Sequence, residues 1–225
     1  MRGVAAARTP SATRQATPSR GRIDKREAIL DAAFTVFARQ GYAQACVKEI
    51  AKEAGVAKPT VYNHLSDKAT LFREAMAAAS ERVLAEHLAA VEDLAARPDD
   101  AEDLRALLED VGGRMLRVHC DGRARALRRL TQVEAAWCPE LLDMGRGHGA
   151  DRLTEAVADR LARLSLAGRL RPLDPVVAAE QFLALLTGPV DARTRMGARP
   201  ASAGELDAVT AAAADTFLRA FAPPA

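Results

Sequence analysis

Aromatic side chains are scarce in this chain, since they make up 4% of its 225 residues. Runs of β-branched residues long enough to form strands are absent, whereas alanine is abundant. Alanine favours helices and lets them pack closely, while strands depend on β-branched and aromatic side chains. The composition therefore predicts an all-α fold, in a chain long enough for one or two domains.

Features of exported, membrane-bound and metal-stabilised proteins are also missing. Arg8 interrupts the apolar start of the chain, and no segment approaches the roughly 18 consecutive apolar residues of a membrane span. The cysteines, Cys46, Cys120 and Cys138, are odd in number and lack the spacing of paired metal ligands. These absences predict a cytoplasmic protein with no membrane partner, no metal and no cofactor.

Catalytic motifs are lacking as well. The sequence contains no nucleophile elbow, no Walker loop and no His-Glu-x-x-His helix. The segment from Gly145 to Ala150 fits a dinucleotide-binding fingerprint in its letters, but no strand precedes it and no βαβ unit surrounds it. We therefore predict that the protein is not an enzyme.

The segment from Val47 to Lys68 has the pattern of two short helices joined by a turn. Val47, Ile50 and Ala51 share one face of the first helix, and charged residues occupy the opposite face. Gly55 lies where a helix needs a left-handed residue to end. The second helix begins around Pro59, and its outward positions hold five hydrogen-bonding or cationic side chains. Such a helix suits the base edges and phosphates of a DNA major groove.

These residues resemble the DNA-binding domain of the TetR family over roughly residues 22 to 75. The matching motifs are Gly41-Tyr42, Ile50-Ala51, Ala54-Gly55-Val56, Thr60-Val61-Tyr62, His64 and Ser66-Asp67-Lys68. The chain departs from the family pattern at Ala45, Cys46, Ala57, Pro59 and Leu65. Because two of these departures remove helix-capping side chains, we expect the short helices to depend more on tertiary packing.

The resemblance implies that Tyr62 and Lys68 contact DNA phosphates. Lys58 and Thr60 are the better candidates for base edges, because the first residues of a recognition helix lie deepest in the groove. Asn63 and His64 could contact either bases or backbone. The complete predicted DNA-binding set is Lys48, Lys58, Pro59, Thr60, Tyr62, Asn63, His64 and Lys68.

Charge is distributed unevenly along the chain. Residues 1–75 hold 13 Lys and Arg against 7 Asp and Glu, a net charge of +6, while the remainder holds 19 against 23, a net charge of −4. A basic end suits a polyanionic partner such as double-stranded DNA. We assign residues 1–21 to a disordered basic arm, 22–75 to the helix-turn-helix domain and 76–225 to a larger helical domain, with about nine helices in all.

The C-terminal part carries a second resemblance, to the AefR-like subgroup of the TetR family, over roughly residues 125 to 190. Its residues are Trp137-Cys138-Pro139-Glu140-Leu141, Gly168-Arg169-Leu170, Asp174-Pro175 and Ala178-Ala179-Glu180-Gln181-Phe182. It implies a ligand-binding and dimerisation domain, in which helices near 175–187 and 204–220 pair with their copies in a homodimer. A long helix from Lys68, free of Gly and Pro up to Pro98, is expected to connect the two domains.

A small-molecule effector would be expected behind the connecting helix. The candidate ligand-binding residues are His87, Met115, His119, Trp137, Met144 and His148, with Leu84 beside them. The sequence thus predicts a transcriptional regulator, most simply a repressor released from a palindromic operator by its effector. Alternatives are an activator, a ligand-independent DNA-binding protein, and a redox-responsive one in which Cys46 is the switch.

Overall fold

The computed structural model describes residues 20–92, 104–143 and 149–223, and these ranges contain helices and no strand. The ten helices are α1 (Arg20–Gln44), α2 (Val47–Glu53), α3 (Lys58–His64), α4 (Lys68–Glu92), α5 (Leu104–Cys120), α6 (Gly122–Glu134), α7 (Glu140–Asp143), α8 (Asp151–Leu166), α9 (Pro175–Arg193) and α10 (Ala203–Phe221). The all-α prediction is confirmed. The one-turn α7 is too short to leave a periodic pattern in the sequence.

The sequence predicts a first helix that starts near Asp24, ends at Gly41 and carries an apolar stripe at Ile29, Leu30, Ala33, Phe34 and Phe37. Helix α1 begins four residues earlier, at Arg20. The apolar stripe of this helix starts only at Ile29, so its period gave no sign of the extra turn. The helix therefore includes the last two positions of the predicted arm, and residues 1–19 lie outside the described ranges. Gly41, with φ of 77°, breaks the regular helix where the sequence predicted its end.

The N-terminal domain is held together by the apolar stripe of α1, on which α2 and α4 pack. The predicted stripe is buried along its whole length, at Ile29, Leu30, Ala33, Phe34 and Phe37. No side chain caps the N-terminus of α2 or α3, where Cys46 and Ala57 occupy the cap positions. Burial of apolar side chains therefore replaces capping as the source of stability for these two short helices.

The C-terminal domain is built from α5, α8, α9 and α10, which enclose a second apolar core. Phe182 and Phe217 meet edge to face in this core, with ring centroids 5.2 Å apart. Gly112 lets α5 approach α9 closely, because a Cβ atom at this position would lie only 3.0 Å from the Cδ2 atom of Leu186 on α9. Asp174 caps α9 ahead of Pro175.

The burial pattern divides the apolar residues of the predicted dimerisation helices into buried and partly exposed ones. Phe182, Leu186, Val209 and Phe217 are buried within the chain. Leu185 and Leu218, by contrast, are only partly buried. Only residues of this second kind stay available for a second copy.

Helix α4 joins the two domains, since its first half packs on α1 and its second half on α5 and α8. The described part of this helix ends at Glu92, and the predicted end at Pro98 lies outside the described ranges. No helix within those ranges is long and apolar enough to cross a membrane.

Candidate DNA interface and effector cavity

The turn between α2 and α3 positions the candidate reading helix. Gly55 adopts φ of 66°, and the N–H of Val56 donates to the carbonyl of Ala51 over 2.9 Å, which folds the chain back. Val61 and Leu65 are buried against the α1 core. The opposite side of α3 is thereby fixed toward solvent.

The predicted contact residues lie largely on that solvent side. Tyr62 is 45% exposed, although a large aromatic ring is usually covered. The ammonium of Lys58 lies 5.8 Å from the centre of the Tyr62 ring, so the two side chains form one cationic, hydrogen-bonding edge. The remaining predicted residues divide into exposed ones, Lys48, Pro59 and Asn63, and half-buried ones, Thr60 and His64.

Lys68 occupies a more structural position than the sequence suggested. Its Nζ donates to the carbonyl of Ala43 over 3.2 Å and lies 4.6 Å above the Tyr42 ring. These contacts tie the start of α4 to the end of α1. Asp67 just before it accepts the N–H of Thr70 over 2.8 Å, and this bond is the main reason that the pKa of Asp67 is lowered.

Glu134, at the end of α6, links the two domains. Its carboxylate is buried and accepts the N–H of Tyr42 over 3.0 Å and the indole N–H of Trp137 over 2.6 Å. Five residues before Glu134 on α6, the guanidinium of Arg129 donates a hydrogen bond to the carbonyl of Ala38. Burial of a carboxylate costs free energy unless its oxygens accept hydrogen bonds. The hydrogen bonds to Glu134 therefore hold the end of α1 against α6.

Trp137 corrects one of the predictions for the effector site. Its ring lies against Tyr42 at a tilt of 31°, with centroids 4.1 Å apart, and its centroid is 5.6 Å from that of Phe72. It does not line the cavity described below. The indole needs both an apolar contact and an acceptor for its N–H, and the junction with the helix-turn-helix domain supplies both.

A cavity of about 480 Å³ lies behind the second half of α4. Three of the predicted ligand residues, His87, Met115 and His119, line it together with Leu84. Met144 and His148 lie outside the described ranges. The other lining residues are Ser80, Val83, Leu116, Ala124, Leu127, Arg128, Thr131, Gln132, Leu142, Gly149, Ala150, Leu153, Thr154, Leu183, Leu186 and Thr187.

Two family models match the chain in the parts that carry these features. The model described as "Bacterial regulatory proteins, tetR family" matches residues 29–75. The model described as "AefR-like transcriptional repressor, C-terminal domain" matches residues 106–223, slightly more than half of the chain. The chain belongs to the TetR family. It is accordingly a DNA-binding transcriptional regulator, and its helix-turn-helix is the DNA-binding element.

Similar proteins cover nearly the whole length. The HTH-type transcriptional repressor Rv1474c of Mycobacterium tuberculosis is 29% identical over 184 residues, which are 78% of this chain and 85% of that protein. A Mesorhizobium loti structure described as a TetR-family transcriptional regulator shares 28% identity with a TM-score of 0.81, covering 92% of this chain and all of that one. The flavonoid-responsive regulator FrrA shares 26% identity with a TM-score of 0.63, covering 90% and 99% of the two chains.

Arg128 is a cavity residue that the local sequence pattern does not indicate. Arg128 belongs to the segment Gly122–Glu134, whose four arginines are typical of a solvated helix face. Its guanidinium instead reaches the cavity beside His119 and Asp191. The amphipathic period of α6 could have indicated which side of the helix is covered, but not that an arginine head lies there.

The two cavity histidines give this regulator an expected pH dependence of stability. Burial lowers the pKa of His87 and His119, and for His119 burial together with the Arg128 charge outweighs the opposing effect of Asp191. The unfolded chain therefore binds protons more tightly at these sites. Their contribution to stability is present above the unfolded pKa of about 6.5 and is lost as the pH falls below it.

We expect the free energy of unfolding to fall between about pH 7.5 and about pH 5.5, because protons favour the unfolded chain. Replacing both histidines by asparagine should flatten that dependence, measured by urea denaturation at each pH. The control is Gln132→Asn, a change to a cavity residue that does not titrate. An unchanged slope in the double variant would show that other groups cause the dependence.

Proposed function

We propose that this protein is a homodimeric repressor that binds a palindromic operator through α3 and releases it when a small molecule fills the cavity. The observation that carries the proposal is that the same two helices, α4 and α6, line the cavity and hold the reading domain. The similarity to Rv1474c, which is named a repressor, supports the sign of regulation.

Helix α4 is the first connection between the cavity and the reading domain. Its first turns bury Leu71, Phe72 and Met76 in the core of the helix-turn-helix domain. Two turns later, Val83 and His87 line the cavity. Since a helix moves as a stiff rod, a ligand that displaces the second half of α4 also displaces the reading domain.

Helix α6 is the second connection between the cavity and the reading domain, and it uses two different faces. Leu127, Arg128 and Thr131 line the cavity, while Arg129 and Glu134 bond to the end of α1. Filling the cavity therefore acts on both connections to α1. In a dimer, such a movement changes the separation of the two reading helices, which the fixed spacing of DNA half-sites does not tolerate.

The outer face of α9 and α10 supports the proposal of a homodimer. A shallow concavity there is lined by the apolar residues Ala184, Leu185, Pro189 and Phe221. Val177, one turn before this concavity on α9, is exposed. Pairing of this face with its copy would cover these side chains and present two α3 helices to one DNA duplex.

In-vitro selection of bound sequences from a random duplex library, at physiological salt, tests the function. We expect an inverted repeat, because a twofold-symmetric dimer reads two equivalent half-sites. Enrichment of a single half-site would contradict the dimer, and no enrichment at all would contradict sequence-specific binding. The selected duplex then serves as the operator in the DNA-binding experiments below.

A further inference from the structure

The cavity has a largely aliphatic wall and one end that carries ionisable side chains. Neutral polar side chains also line it, namely Ser80, Thr131, Gln132, Thr154 and Thr187. Eight aliphatic or thioether side chains from α4, α5, α6, α8 and α9 form most of its wall: Val83, Leu84, Met115, Leu116, Leu127, Leu153, Leu183 and Leu186. Arg128, His87 and His119 form the polar end. Such an arrangement suits a ligand with an apolar body and one polar group.

The hydrogen bonds of the two histidines determine what each can still offer. His119 Nε2 lies 2.9 Å from Asp191 Oδ1 and donates to it, while its Nδ1 faces Nη1 of Arg128 at 3.4 Å. Both ring nitrogens of His119 are therefore engaged. His87 Nδ1 lies 2.9 Å from the carbonyl of Val83 and must donate to it, which leaves Nε2 as an acceptor in the neutral ring.

Arg128 keeps unused donors on one edge of its guanidinium. Its Nη1 donates to the carbonyl of His119 over 2.8 Å. Its Nη2 is 3.9 Å from Asp191 Oδ1, which is too long for a hydrogen bond, and that oxygen already accepts from His119. Within the described ranges, nothing bonds to the Nε and Nη2 donors, and these two groups form the edge that matches a carboxylate.

Ligand chemistry follows from what happens when a guest displaces water from this edge. A wholly apolar guest would leave charged donors unpaired, at a cost of about 1–3 kcal/mol or more. A cation would gain little, because the Asp191 carboxylate beside Arg128 already accepts from His119 and lies 3.9 Å from Arg128 Nη2. A carboxylate would form two parallel charge-assisted bonds, while its apolar body replaced water against the leucines.

We infer that the cavity binds an apolar monocarboxylic acid, with its carboxylate on the Nε and Nη2 edge of Arg128 and its hydrocarbon body among the leucines of α6 and α9. This inference rests on the proposed function in one respect, namely that a guest in this cavity is the effector. It goes further in stating the charge, the polar group and the orientation of that guest.

The first test is calorimetry on the full-length protein with matched probes. They are 2-naphthoate and 2-naphthylmethanol, which share an aromatic body, and decanoate and decanol, which share an aliphatic one. We expect at least one acid to bind about tenfold or more tightly than its alcohol, because a hydrogen bond to a charged group is stronger than a neutral one. Equal binding of acid and alcohol in both pairs, or binding of neither acid, overturns the inference.

Variants identify the residue responsible. Arg128→Gln should reduce binding of the acid about tenfold or more and leave the alcohol within about threefold, whereas Arg128→Lys should restore only part of the difference because it lacks the planar fork. Arg163→Gln, an exposed arginine of α8 outside the cavity, is the control and should keep the wild-type preference. Since acid and alcohol are compared within each variant, a general loss of folding cannot imitate the result. An acid preference that survives Arg128→Gln would contradict the assignment.

Operator release, measured by gel shift with the selected duplex, separates this inference from the proposed function. Tight, Arg128-dependent binding of an acid without loss of operator affinity would support the carboxylate site and contradict induction through it. Release of the operator by an alcohol as effectively as by its acid would support induction and contradict the carboxylate. Release by the acid alone supports both.

Discussion

Phe72→Ala is expected to lower the free energy of unfolding by about 3–5 kcal/mol, the usual range for truncating a fully buried phenylalanine. The Phe72 ring is completely buried on α4. It meets Phe37 edge to face at 4.9 Å, Tyr42 at 5.1 Å and Trp137 at 5.6 Å between ring centroids. Each favourable aromatic pair adds about 0.5–1.5 kcal/mol beyond the area it buries.

Because of where Phe72 lies, the loss of its ring should affect the contact between the two domains as well as the core of one of them. Phe37 and Tyr42 belong to α1 or its end, whereas Trp137 comes from the segment after α6, so the ring lies where the two domains meet. Its removal weakens the helix-turn-helix core and the contact through which α6 holds it. We expect unfolding of the N-terminal domain to begin at lower denaturant than unfolding of the rest.

Chemical denaturation at fixed protein concentration measures this effect, since the concentration also sets the stability of a dimer. Val133→Ala on α6 is the control, because its side chain is 66% exposed and the change should cost less than about 0.5 kcal/mol. A loss below about 1 kcal/mol for Phe72→Ala would mean that the surrounding rings close over the space, and that the aromatic cluster does not join the domains rigidly.

The stripe of α1 could be predicted because burial on one side of a long helix leaves a 3.6-residue period. The same holds for Val47, Ile50 and Val61, whose spacing follows local helix geometry. Trp137 could not be placed this way, since its partner Tyr42 is distant in sequence and the indole would satisfy its N–H equally well at either site.

The position of Arg128 at the cavity could not be predicted from local sequence either. A local sequence pattern predicts that an arginine faces solvent, yet Arg128 lines the cavity and its guanidinium lies 3.9 Å from Asp191 on α9. The local charge depends on Arg128 of α6 and Asp191 of α9 together, and neither helix carries that information alone. His87 and Met115, in contrast, lie on the connecting helix and on a helix behind it, which is where the sequence places the cavity.

Thr60→Ala and Tyr62→Ala are expected to weaken operator binding in two distinguishable ways. Thr60 is half-buried in the first turn of α3, where a recognition helix lies deepest in the groove. Losing a base contact there should cost about 1–3 kcal/mol at each half-site, and twice that in a dimer with two reading helices. The cost should appear only on duplexes that carry the preferred base pair.

Tyr62 should behave otherwise, because a phosphate contact carries no direct sequence information. Its exposed ring and the Lys58 ammonium beside it form an edge that suits any duplex. Tyr62→Ala should therefore lower the affinity for the operator and for random duplex by the same factor. Tyr62→Phe should show how much of that affinity comes from the hydroxyl group. Dissociation constants for the operator, for its single base-pair variants and for random duplex, all at one salt concentration, separate the two roles. If Thr60→Ala lowered affinity equally for every duplex, Thr60 would be a backbone contact, and base reading would have to come from other α3 residues such as Lys58 and Asn63.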